Sequence, residues 1–158
     1  MPIAAELAAL FHRDLTRLMQ EVQAFPNDAD LWAVAGVAGN SAGNLALHLE
    51  GNLLEYVGRQ LGGVPFQRDR PKEFSTTGAA ARELLERLEL LRFIVVETVG
   101  RLSDGDLDAQ FPEDVLGVPT SVRQLLIHLH GHLNYHLGQI DYLRRIVTGA
   151  GAIDLQGL

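Results

Sequence analysis

Cysteine is absent from the 158 residues. That excludes a disulfide framework and any thiolate metal site, so a soft ligand here has to be an imidazole. A chain without cysteine is compatible with a reducing compartment, and the cytoplasm is the expected location. Lysine is nearly as scarce. Lys72 stands alone, and acidic residues outnumber basic ones 20 to 13, for a formal charge of −7. No stripe of Lys and Arg interleaved with aromatics occurs, which argues against nucleic acid as a partner. The acidity favours solubility. Long apolar runs are also missing: none reaches the ~18 residues of a membrane span. The first residues carry no basic segment followed by an apolar signal core. The expectation is a soluble, unexported protein with no membrane partner.

Hydrophobic residues, by contrast, make up 47% of the chain, enough for one sizeable core. The length suits a single domain over 1–158. Four segments carry helical periodicity. The first covers roughly 3–24, with Leu7, Phe11, Leu15, Leu18 and Val22 on one stripe, and Pro26-Asn27 ends it. The second covers roughly 41–62, opened by Asn40-Ser41 and closed by Gly62-Gly63. The third covers roughly 77–103, where Leu84, Leu88, Leu91, Val95 and Leu102 recur at threes and fours. The fourth covers roughly 121–148, with Ser121 and Gln124 as a capping box and Gly149 beyond its end. No segment reads as a strand. About 15 residues, from Gly62 to Thr76, join the second and third helices. At ~3.3 Å per residue they can cross a whole helix, which allows the two helices to run parallel. Asp69-Arg70-Pro71 argues against helix within that connection. The fold expected is an all-α four-helix bundle with a long crossover between helices two and three.

Histidine is where the pattern departs from an ordinary bundle. Six occur, and four lie between 128 and 136. On a wheel of ~100° per residue, Leu125, Leu129, Leu133, Ile140, Leu143 and Val147 form one arc. His136 falls inside that arc and His132 at its edge, two imidazoles one turn apart where leucines are expected. Residues at this spacing can share one ion. On helix two, His48 is bracketed by Asn44 and Asn52 on one face, although asparagine is a poor mid-helix residue. A third imidazole from another helix completes three ligands and leaves a position open, as in catalytic sites. An H-x-x-x-H pair is also often solvated or simply packed, and a lone histidine on a helix is more often hydrogen-bonded than a ligand. His12 reads as surface or packing and His130 as structural. His128, one turn before His132, reads either as a rival ligand or as a residue behind the ligands.

Two stretches carry a family resemblance. Asn40-Ser41-Ala42-Gly43-Asn44-Leu45-Ala46-Leu47-His48-Leu49-Glu50-Gly51-Asn52-Leu53 looks like a helix-two signature. Ser121-Val122-Arg123-Gln124-Leu125-Leu126 and His132-Leu133-Asn134-Tyr135-His136-Leu137-Gly138-Gln139-Ile140 look like a capped start followed by H-x-x-x-H-x-G-Q. Together they resemble the DinB/YfiT-like metalloenzyme superfamily. Leu61 through Pro65, Arg68-Asp69-Arg70 and Glu73-Phe74 are similar to an uncharacterised branch of it. The resemblance covers most of 31–145. It implies a four-helix bundle with a long crossover, a divalent metal (zinc or nickel foremost) held by His48, His132 and His136, and frequent homodimers.

The function expected is a metal-dependent hydrolase or thiol S-transferase acting on a small molecule, with a low-molecular-weight thiol as a candidate cosubstrate. The alternatives are a metal- or small-molecule-binding bundle without turnover, and a bundle whose histidines are remnants. Glu55, Asn52 and Gln139 are the candidate catalytic residues, Glu55 as general base. Asn44 and Asn52 are candidates for orienting substrate or supporting the ligands. Helix two carries a second apolar stripe, Leu47, Leu54 and Leu61, beside Gly43, Gly51 and Gly58. Recurrent glycines on one side suggest close approach of another backbone, either a second copy of helix two or the crossover folding back.

Overall fold

The computed structural model describes residues 2–154. Helix α1 (Ile3–Gln23) buries Leu7, Phe11, Leu15, Leu18 and Val22, the stripe its periodicity marks. Each such side chain contributes about 1.5–3 kcal/mol on burial, more than a helix cap supplies. A single turn, α2 (Asp28–Leu31), is capped by Asn27. Helix α3 (Ala42–Leu53) starts at a capping box between Ser41 and Asn44. It then loosens into a π-helical turn over Leu54–Arg59, where the Gln60 and Gly62 amides donate five residues back, to Glu55 and Val57.

The connection that follows contains α4 (Arg70–Ser75), although Asp69-Arg70-Pro71 argues against helix there. Proline in the first turn removes an N–H that has no intrahelical partner anyway. The Asp69 carboxylate accepts from the Lys72 amide at 3.1 Å and caps the turn. Helix α5 (Ala81–Gly100), the short α6 (Asp104–Asp108) and α7 (Val122–Thr148) complete the chain. The Ser121–Gln124 capping box forms as its spacing implies, and Gly149 takes a left-handed φ of 72° at the other end.

Side-chain pairs fix the directions. Glu50 meets Arg87, Gly58 meets Ile94 and Gly62 meets Thr98, so α3 with its π turn runs parallel to α5. The long crossover achieves what its length allows. His48 meets His132 while Leu45 shares a cleft with Leu143, so α3 and α7 are antiparallel. Asp14 meets His130 and Glu21 meets Arg144, so α1 and α7 are parallel. The four long helices therefore run up, down, down, up, each packed on two neighbours: α1 on α5 and α7, α3 on α7 and α5. The described residues contain no strand, only one isolated bridge between Gln110 and Ser121. Among the described residues no helix is long and apolar enough to cross a membrane.

The glycines of helix two have partners inside the chain. A Cβ on Gly43 would stand 2.6 Å from the Trp32 ring, and one on Gly51 only 2.1 Å from the Glu73 carboxylate. Gly58 faces Ile94. The close approach is thus made by the loop before α3, by α4 and by α5.

Candidate metal centre

α3 and α7 lie antiparallel, and that packing brings together three imidazoles separated by up to 88 positions along the chain. His48 is buried, while His132 and His136 are half-buried. The Nε2 atom of His132 stands 3.2 Å from that of His48 and 3.1 Å from that of His136. Three nitrogens bonded at ~2.0–2.1 Å to one tetrahedral ion stand about 3.3 Å apart. The spacing therefore fits a shared ion. Among the described residues this is the group of three or more His, Cys, Asp or Glu side chains gathered closely enough to hold one.

The other ring nitrogens show which way the lone pairs point. His48 Nδ1 lies 2.9 Å from a Glu73 carboxylate oxygen, which can only accept, so Nδ1 carries the hydrogen. His136 Nδ1 lies 2.7 Å from the Gln139 side-chain oxygen and donates to it. Both Nε2 atoms therefore present lone pairs to His132. The Nδ1 of His132 is buried without a hydrogen-bond partner among the described residues. If His132 keeps its hydrogen there, three lone pairs converge. If it shifts the hydrogen to Nε2, only one neighbour is well satisfied. A cation between the three relieves either conflict. Burial holds the His132 pKa down at about 4, with His136, His48, His128 and Arg68 acting in the same direction. Burial also lowers His48 from its usual 6.5, against the raising pull of Glu73. Neutral imidazole is the ligating form.

Behind His48 stands a support that the sequence marks only as part of the family resemblance, Glu73. Glu73, on α4, is gripped by Arg68 through two hydrogen bonds of 2.7 and 3.0 Å. The carboxylate orients the ring and raises its basicity as a ligand, the arrangement found behind metal-bound histidines. The Phe74 ring packs on His48 with centroids 5.0 Å apart. Gly51 leaves the space that the Glu73 carboxylate occupies. The only signal available in the sequence was a charged cluster within the crossover, 25 positions from the histidine it serves.

The remaining candidates fall in different places. Gln139 is at the site, through His136. Asn44 is not a lining residue of the triad: its Oδ1 closes the α3 capping box, and its Nδ2 donates to the carbonyls of Glu73 and Thr76 at 3.1 and 2.9 Å. It ties down the end of α4 and so acts on Glu73. Asn52 is buried, with its Oδ1 unpartnered among the described residues. Glu55 sits in the π turn, bonded by Arg59 at 3.0 and 3.1 Å, and that guanidinium lowers its pKa. His130 leaves the triad altogether and bonds the buried carboxylate of Asp14 at 2.8 Å. His128 and His12 are exposed.

The family model described as "Protein of unknown function (DUF1572)" matches residues 8–155. No curated protein matches the chain. Among solved structures, the chain is similar to a conserved protein from Enterococcus faecalis, at 15% identity and a TM-score of 0.77, over 95% of this chain and 99% of the other. It is also similar to a DinB-like protein from Bacillus cereus, at 20% identity and a TM-score of 0.68, over 89% of each chain. At these identities the likeness establishes the fold, which is DinB-like as the two sequence stretches imply.

Proposed function

Since the chain belongs to the DUF1572 family, described only as proteins of unknown function, the reading rests on the site, and we propose a metal-dependent enzyme acting on a small molecule. His48, His132 and His136 would hold one divalent ion, zinc or nickel. The observation that carries this is that the His132 Nε2 atom stands 3.2 and 3.1 Å from the Nε2 atoms of His48 and His136, both of which have their Nδ1 hydrogens already used. When bound, such an ion supplies a Lewis acid that acidifies a neighbouring water or thiol, which suits hydrolysis or thiol transfer to an electrophile. The chain's own contribution is to hold the rings. Glu73 fixes His48, Gln139 fixes His136, and Arg68 holds Glu73 in place.

A second reading, metal binding without turnover, is supported by the nearby carboxylates. Glu73 is paired with Arg68 and Glu55 with Arg59, which leaves neither free to move a proton. Elemental analysis of protein purified without metal-affinity resin tests the shared premise. About one ion per chain is expected, falling to background in the His132→Ala/His136→Ala variant. Unchanged metal in that variant overturns the site. A screen of model esters and thiol acceptors with zinc, nickel and manganese separates enzyme from binder.

A further inference from the structure

Two clefts flank the elements that carry the triad, and they differ in charge. One, of about 270 Å³, is lined by Glu50, Asp69, Lys72, Glu73 and Arg87 around α4. The other, of about 400 Å³, lies between the loop before α3, Leu45 and the C-terminal half of α7. Apart from the His136 imidazole, no residue lining this second cleft is ionisable near neutral pH. Its apolar walls are Leu45, Leu143 and Ile146, its aromatic ones Tyr135 and Tyr142, and its polar ones Asn40 and Gln139.

His136 and Gln139 belong to both places. They line the neutral cleft, and they form the hydrogen-bonded pair that aims one Nε2 at the triad. Tyr135 and Tyr142 are 66% and 63% exposed, so large apolar surface stands uncovered at the cleft's rim. The Arg145 guanidinium stacks on Tyr142, 5.1 Å from the ring centroid, and steadies it. A concave, mainly apolar site with a few convergent polar groups is the form small-molecule sites take.

We propose that this cleft binds the apolar or aromatic part of an uncharged small molecule, whose polar group lies against His136 at the edge of the triad. The choice of occupant follows from charge. A carboxylate or phosphate needs charged donors to replace its hydration; the lining side chains supply none, and Arg145 on the Tyr142 ring is already paired with Asp141 at 3.5 Å, so the positive charge left to an anion is an ion on the triad itself, beyond His136. The chain's charge of −7 opposes anions further. A thiol cosubstrate bearing several carboxylates is therefore a poor occupant here. The inference deepens the metal-dependent reading and rests on it for the chemistry, while the binding has its own readout.

Naphthalene-2-methanol and naphthalene-2-sulfonate, similar in size and different in charge, make the test on zinc-loaded protein, and the charge comparison is repeated on zinc-free protein, where the ion's own pull on the sulfonate is absent. Each is titrated while the His136 ring proton signals are followed, and zinc is measured on the same samples. The alcohol should saturate, shift the His136 signals and bind about tenfold more tightly than the sulfonate. Tyr142→Ser should weaken the alcohol about fivefold, with zinc content unchanged. Equal or tighter binding of the sulfonate, or saturation without a His136 shift, overturns the proposal. So does a parent dimer that Tyr142→Ser converts to monomer, since a second copy would then cover the cleft. Zinc bound without alcohol binding sinks the cleft alone. Alcohol binding on protein that retains no zinc sinks the metal reading and leaves the cleft standing.

Discussion

His130 and His132 are two positions apart on α7 and face different worlds. His130 points at α1, where its Nε2 donates to Asp14, a carboxylate with no solvent exposure. Asn134 donates to the same oxygen at 2.9 Å, and Arg13 and Arg17 complete the shell. Each of these donors ends on the Asp14 carboxylate, so the acceptor they need is already in place. His132 points at α3, where its Nε2 meets two other imidazole nitrogens that offer lone pairs. The first arrangement is complete as a hydrogen-bonded pin between α1 and α7. The second leaves lone pairs facing one another at the spacing a shared cation would fill. What separates a structural histidine from a candidate ligand here is the chemistry of the group facing it, a quantity no residue count on one helix contains.

The widest gap between the two clusters should appear on deleting the ligands. His132→Ala/His136→Ala is expected to lower zinc affinity more than ~1,000-fold, because two of three ligands are gone. His130→Ala should leave zinc affinity within about twofold. Calorimetric titration of both variants checks this, and equal losses would erase the distinction.

The converse perturbation is Asp14→Ala, which strips the pin. It leaves His130 and Asn134 without their buried acceptor and is expected to cost about 3 kcal/mol, with zinc stoichiometry intact. Denaturant unfolding of the metal-free protein gives the number. The carboxylate's pKa is held well below the usual range by its hydrogen bonds from His130, Arg13 and Asn134, against burial, which raises it. A depressed folded pKa adds stability above the unfolded value of ~3.9 that is lost as pH falls through the folded one. The parent should therefore lose more stability on acidification below pH ~4 than Asp14→Ala does.

Support behind the ligands should matter less than the ligands themselves. Glu73→Gln is expected to weaken zinc binding about 10- to 100-fold. Gly51→Ala should act in the same direction, because its methyl takes the space of the Glu73 carboxylate. An unaltered affinity in both variants would mean that Glu73 serves only to pack α4.

The pH profile is the mildest test. His48 and His132 have lowered pKa values, the latter at about 4, so their neutral forms survive below the ordinary 6.5. Proton competition should spread over pH 6.5 down to about 4 rather than be complete near 6. The unfolded chain binds protons over the same window, so the metal-free protein should also lose stability there. Competition titrations at pH 7, 6 and 5 read the first effect, and affinity independent of pH would count against imidazole ligation.

The histidines were legible because helical periodicity places His132 and His136 one turn apart on an apolar stripe, and His48 beside two asparagines. The four long helices were legible for the same reason, and the crossover from its length. The support was not. Glu73 reaches His48 from a short helix that the Asp-Arg-Pro motif argues against, and that helix forms because proline is harmless in a first turn. Gly51 read as an invitation to another backbone, whereas the visitor is a side chain from the same crossover. Asn44 read as a pocket wall because its side chain lies on the His48 face, yet the helix cap and α4 use all of it. Local period finds what one helix repeats, and it is blind to which partner a loop delivers.

The central claim is that the nitrogens of His48, His132 and His136 share one ion while the neighbouring imidazoles do not. Long-range ¹H–¹⁵N spectra of the histidine rings, recorded as zinc is added to metal-free protein, test it directly. The account predicts that the Nε2 signals of these three move together and stop at one equivalent, with His130 unmoved on Asp14. Movement of His128 or His130 in place of any of the three, or no movement at all, would contradict it.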